Sequence, residues 1–213
     1  MGVPGIPAAA EDCCTARELA AAYSIGAPIH ICHVSTKGSV ELIRDFKRRG
    51  LAATAETCPH YLLLTDEALR SRDADFRMNP PLRTEAHRVA LLEGLRDGTI
   101  DAIATDHAPH SPKEKADFLT APNGSIGMET SLCAALTALE GVLPLGEIIK
   151  KMSTAPVRIL GIPAGTLAVG AAADVVLFDP AGRWVVDPGK LHGKSRNTPF
   201  KGMALKGRVI ATF

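Results

Sequence analysis

Three short apolar runs, residues 29–34, 51–57 and 100–105, alternate with segments of helical periodicity, and this alternation restricts the fold more than any other feature of the chain. Ahead of the first run, residues 10–24 are Ala-rich and helix-prone, and Gly26-Ala27-Pro28 ends them. Between the first two runs Val40, Leu42, Ile43 and Phe46 recur at helical spacing over residues 39–49, and Gly50 supplies the stop. Residues 85–96 repeat that pattern before Gly98, and residues 127–140 and 145–152 supply further helices. Strand, helix, strand with short links implies an α/β fold with a parallel sheet and helices packed outside it. The nearly continuous apolar character of each run predicts strands covered on both faces.

In sheets of this kind the chemistry collects at the C-terminal strand ends. The three runs end in His33-Val34-Ser35-Thr36, in Glu56-Thr57-Cys58-Pro59-His60, and in Thr105-Asp106-His107-Ala108-Pro109-His110. Asp106 is the leading candidate: a carboxylate at a strand end can ligate a metal and exchange a proton with water. The alternative is an aspartate that caps the following turn. His30 and His33 fall on opposite faces of the first run by the two-residue period. His33, at the strand end, is chosen as the ligand, and His30 is read as a satisfied core or interlayer histidine. His60 follows a proline and is placed to orient a ligand or substrate. Asn79, before two prolines, offers both a donor and an acceptor, or is simply a turn residue. Arg83 pairs with a substrate carboxylate or with a helix acid such as Glu85; the sequence leaves both open. The loop from Asn123 and Gly124 to Gly127 offers backbone amides ahead of a helix, a place to hold an oxygen.

Composition excludes other classes. With 213 residues and a net charge of +1, the chain gives no electrostatic reason to expect nucleic acid or an anionic membrane as partner. No apolar run approaches the roughly 20 residues of a bilayer span. The first residues lack the basic-then-apolar build of a leader, and the five cysteines lack paired metal spacing; the expectation is a cytoplasmic protein with free thiols. From about residue 164 short β-type runs separated by Gly, Pro and Asp replace the alternation. Residues 1–160 are therefore read as one α/β unit and residues 161–213 as part of a small β-sandwich. The last residues sit in mid-strand without a turn or cap, which reads as truncation.

Taken together, HICHVSTKGSVELI, TAETCPHYLLLT, MNPPLR, DGTIDAIATDHAPH and KSRNTPFKG resemble the later barrel strands of the dihydroorotases of the amidohydrolase superfamily. The resemblance implies a partial TIM-like (β/α) barrel, its last three strands with their helices, plus part of a C-terminal β-sandwich. It implies a centre of one or two Zn2+ ions with His33 as ligand and Asp106 as ligand and general base and acid. Asn79 and His110 match substrate-contacting positions, as do Asn123 and Gly124; the first of that pair is often Phe in the family, so Asn123 departs from the pattern. The implied reaction is the reversible zinc-dependent hydrolysis of the cyclic amide of dihydroorotate to N-carbamoyl-aspartate. Allantoinases and hydantoinases share the CPHYL stretch and remain alternatives, as does a non-catalytic relative that supports aspartate transcarbamoylase. A homodimer and an assembly with aspartate transcarbamoylase are the partners implied. The family's His-x-His pair, its bridging Lys or Asp and a further His have no counterpart in this sequence. The 213 residues by themselves are therefore expected to be inactive and poorly stable, since a catalytic zinc usually keeps three protein ligands.

Overall fold

The computed structural model describes residues 5–213; residues 1–4, where a leader would begin, lie outside the described residues. Helix α1 (Ala8–Ile25) ends at Gly26, whose φ of 66° is open to a residue without Cβ and closes the last turn onto Ala22 and Tyr23. Strand β1 (Ile29–Ile31) follows, then α2 (Lys37–Arg48), β2 (Ala53–Thr57), α3 (Pro59–Leu63), α4 (Glu85–Asp97) and β3 (Ala102–Ile103). The Thr36 hydroxyl accepts from the Ser39 amide and starts α2, satisfying one of the donors a helix leaves open. The strands form a parallel sheet in the order β1-β2-β3, with His30 level with Thr54 and Thr57 level with Ile103.

The α/β architecture and the parallel sheet match the sequence expectation, but the strands are shorter than the apolar runs. The first run ends as a strand at Ile31 because the chain turns at His33, two residues on. Coverage differs as well. Along β2 the residues Ala53, Ala55 and Thr57 are buried against the helices, while Thr54 and Glu56 on the other face are only half-buried. One face is thus packed and the other half-open, instead of both being covered. The packed face meets Val40 and Ile43 of α2 and Leu91 and Leu95 of α4, all essentially inaccessible to solvent. Each such side chain contributes about 1.5–3 kcal/mol.

Helices α5 (Ser131–Ala138) and α6 (Leu145–Met152) fall within the expected helical segments, and an unanticipated α7 (Thr154–Leu160) follows after a break at Ser153. Beyond residue 161 the chain forms an antiparallel ribbon of β4 (Val176–Val185) and β5 (Ala204–Thr212), with register breaks after Leu177 and Asp179. Val186, Phe200 and Leu205 seat this ribbon on Cys133 and Ala134 of α5, a small core of its own. The ribbon leaves Val176, Leu177, Val185 and Ile210 exposed. No helix among the described residues is long and apolar enough to cross a membrane.

Candidate active site

Parallel pairing puts the C-terminal ends of β1, β2 and β3 on one edge of the sheet, with β2 in the middle. At that edge His33 and Asp106 both adopt left-handed backbone, with φ of 40° and 46°. A residue with a Cβ pays about 1 kcal/mol or more for this conformation, and such strain persists only where the surroundings over-determine it. The bracing is visible at both places. After His33, the Val34 amide donates to Glu56 O at 2.8 Å and the Thr57 hydroxyl donates to Val34 O at 2.7 Å. The Glu11 carboxylate then accepts from the amides of Ser35 and Thr36 at 2.8 and 3.0 Å. After Asp106, Ala108 donates to Ser125 O at 2.9 Å, and His107 Nδ1 accepts from the Gly127 amide at 3.1 Å. That acceptor role places the proton of neutral His107 on Nε2.

The turn at His33 also ends the two-residue alternation, so the parity that separates His30 from His33 does not extend past Ile31. Both turned residues act on the segment that joins β2 to α3. Burial, then the carboxylates of Asp106 and Glu56, push the Cys58 thiol well up. Burial, then Cys58 and Asp106, raise the Tyr61 hydroxyl as well, and Tyr61 donates to Pro80 O at 2.6 Å. Burial, reinforced by His33, pushes the His60 imidazole down to about 3. His60 is 3% exposed, and its Nε2 has no hydrogen-bond partner among the described residues. A buried unpartnered imidazole nitrogen is costly and rare, and it is the kind of atom that a bound group satisfies.

The loops around Asp106 hold the other residues singled out by sequence. His110 Nε2 lies 3.0 Å from Asn123 O, and Asn123 Oδ1 accepts from Arg77 Nε at 3.2 Å. The departure from Phe at position 123 is therefore accommodated by Arg77, and the backbone contact is made. Gly124 has a φ of 136°, and a Cβ there would lie 2.6 Å from Ala108 Cβ and 3.0 Å from His110 Nε2, so only glycine fits. Asn79 is exposed. Of the roles open to it in the sequence, Arg83 meets a helix acid, Glu11 of α1 and not Glu85: its guanidinium donates to Ser35 Oγ at 3.2 Å and Ile6 O at 2.6 Å and lies 3.5 Å from Glu11. Glu85 pairs with Arg88 instead. His107 and His110 line a cavity of about 490 Å³ together with Met128, Glu129 and Lys194; His33 and Asp106 do not.

Asn197 was quoted in the KSRNTPFKG motif without a role, and the structure gives it one. It is 3% exposed, its Oδ1 accepts from the His110 amide at 3.1 Å, and its Nδ2 donates to Ala108 O at 3.0 Å and Gly124 O at 3.2 Å. Asn197→Ala leaves one buried and two half-buried groups without this partner and is expected to lower stability by about 1–3 kcal/mol, as measured by denaturant unfolding. Limited proteolysis should find the 107–127 loops cut faster in this variant; unchanged cleavage would mean the loops are braced elsewhere.

Two sets of donors at this edge suit a metal. His33 and Asp106 offer an imidazole and a carboxylate on strained, braced turns at this edge. His30, Cys32 and Glu56 offer ligand atoms that all lie within 4.8 Å of one another on the half-open face of the sheet. Sequence reading overlooked the second set, which joins residues either side of the end of β1 to a residue of β2. His30 is satisfied by Thr54 Oγ1 at 2.8 Å and faces Glu56 at 3.3 Å, at the open face rather than in a core.

Comparison with known proteins bears on the family and the fold. The dihydroorotase of Citrifermentans bemidjiense is 52% identical over the whole chain, and that of Syntrophus aciditrophicus is 50% identical. The chain spans about half the length of these curated relatives, 50% in each case. Among solved structures, the dihydropyrimidinase from Brevibacillus agri matches 97% of the chain with a TM-score of 0.91 at 30% identity, again over 48% of that chain. The L-hydantoinase from Arthrobacter aurescens matches equally, with a TM-score of 0.91 at 30% identity. The Amidohydrolase family pattern covers residues 10–213, and the chain belongs to the amidohydrolase family.

Proposed function

We propose that these residues form part of a zinc-dependent dihydroorotase, in which the three strands are the last of a (β/α) barrel and the ribbon is part of a β-sandwich. Residues 1–160 and 161–213 divide accordingly. The observation that carries the reading is the pair of left-handed turns at His33 and Asp106 on one sheet edge, together with the buried Cys58–Tyr61 segment whose His60 nitrogen has no partner among the described residues. His33 and Asp106 would supply two of the ligands to zinc. A bound zinc supplies a Lewis acid that polarises the ring amide and makes hydroxide available near neutral pH. The Asp106 carboxylate takes the proton of the attacking water; as the ring C–N bond breaks, it returns that proton to the departing nitrogen, leaving N-carbamoyl-aspartate. Asn79, His110, Asn123 and Gly124 are assigned to substrate, the last three as a loop unit locked by Asn197. His110 there works through its position, since its Nε2 is already engaged by Asn123 O.

Dihydroorotate is preferred over a hydantoin because the relatives at about 50% identity are dihydroorotases, whereas the hydantoinase structures stand near 30%. Five free cysteines support a cytoplasmic setting. A homodimer, and an assembly with aspartate transcarbamoylase, belong to the same reading through the family. The test joins this chain to the remaining half of the Citrifermentans bemidjiense relative. Zinc-loaded chimera should turn over dihydroorotate in preference to hydantoin or allantoin. A folded, zinc-loaded chimera that hydrolyses one of those other rings instead, or none, would refute the assignment.

A further inference from the structure

The half-open face of the sheet carries a set of donors that the proposed chemistry does not use. Cys32 follows β1 directly, and the β1–β2 register sets His30 level with Thr54, two residues before Glu56 on the same face of β2. The result is an imidazole, a thiol and a carboxylate whose ligand atoms lie within 4.8 Å of one another. His30 is already oriented as a ligand would be: Nδ1 is engaged by Thr54 Oγ1 at 2.8 Å, which leaves Nε2 facing Glu56 Oε2 at 3.3 Å. A hydrogen bond on the far nitrogen of this kind is the usual support of a metal-bound histidine.

We propose that His30, Cys32 and Glu56 form a second metal site, distinct from His33 and Asp106, that takes a borderline-soft divalent cation of the zinc class. Nitrogen, sulfur and one carboxylate are the donors such ions prefer, and a site with three protein ligands keeps a fourth position for water or another ligand. Magnesium and calcium, which want oxygen cages, are disfavoured by the thiol. Small movements of the exposed Cys32 and the half-buried His30 and Glu56 bring donors from these separations to the roughly 2.0–2.3 Å of metal–ligand bonds. On binding, the Cys32 thiol gives its proton to solvent and ligates as thiolate.

Cobalt(II) reports the site by its colour, since only a thiolate ligand produces a near-ultraviolet sulfur-to-cobalt charge-transfer band. The 213-residue chain, stripped with chelator and shown to be folded by far-ultraviolet circular dichroism, is titrated with cobalt(II). The expected result is a charge-transfer band that saturates at one equivalent, disappears in Cys32→Ser, and needs about tenfold more cobalt in Thr54→Val, which loses only the support of His30. His30→Ala should weaken binding further. A folded chain that shows no such band overturns the site. So does a band that survives Cys32→Ser, which would come from another thiol, or one indifferent to His30→Ala. His33 and Asp106 hold no sulfur, so the band neither depends on the dihydroorotase reading nor fails with it.

Discussion

In the chimera with the remaining half of a dihydroorotase relative, Asp106→Asn is expected to lower turnover of dihydroorotate by about a thousandfold or more. The substitution keeps the shape of the side chain and its tolerance of left-handed backbone, so the turn at φ 46° survives. It removes the negative charge that would ligate the cation and the basic oxygen that would accept a proton from water. Both effects fall on the chemical step, so kcat should carry most of the loss and KM little of it. Zinc content, measured on the same preparations, separates the two: a variant that retains zinc but not turnover has lost the proton carrier. Near-normal turnover in Asp106→Asn would move the general base to another residue. A second consequence is electrostatic. Asp106 contributes to raising the thiol of Cys58 and the hydroxyl of Tyr61, so neutral asparagine should let both fall back towards their ordinary values.

The second large effect is on stability against pH. The His60 imidazole sits at about 3 in the folded chain, against 6.5 in the open, because burial and the neighbouring His33 disfavour its charged form. A group whose folded value lies below its unfolded value binds fewer protons when folded in the window between the two. Its contribution is therefore complete above pH 6.5 and is lost as pH falls towards 3, up to about 5 kcal/mol over the whole window. Denaturant unfolding of the metal-stripped chain at about pH 7, 5.5 and 4.5 should show a loss of about 2–3 kcal/mol from this group. His60→Leu, similar in bulk and unable to charge, should flatten the profile over that range. Its stability at neutral pH should not fall, because an unpaired buried nitrogen is removed with the ring. Parallel profiles for the two proteins would show that the imidazole is reached by solvent or protonated by a partner.

What could be read from the sequence, and what could not, follows from the range of the forces involved. Helix α2 was legible because Val40 and Ile43 repeat at helical spacing and Gly50 stops the run, all within a dozen residues. The order of the three parallel strands, and Asp106 at the end of the third, followed from the same local periodicities. The turn at His33 was not legible: nothing in Ile-Cys-His-Val announces a positive φ at a histidine, so the face assignment carried past Ile31 had no basis. Asn197 escaped because its partners Ala108 and Gly124 lie 89 and 73 residues away, and no local pattern encodes such contacts. Which helix acid Arg83 would meet was hidden for the same reason, since its carboxylate is Glu11, 72 residues earlier. The half-covered sheet was hidden by composition, because an alanine such as Ala55 looks equally apolar whichever way it faces.

The turns at residues 33 and 106 set folding and chemistry against each other. Glycine would relax either turn at no steric cost, and it would take the imidazole or the carboxylate away. Selection for robustness alone would therefore erode both positions toward glycine. Histidine and aspartate at these turns carry a conformational cost that the proposed ligand roles would account for.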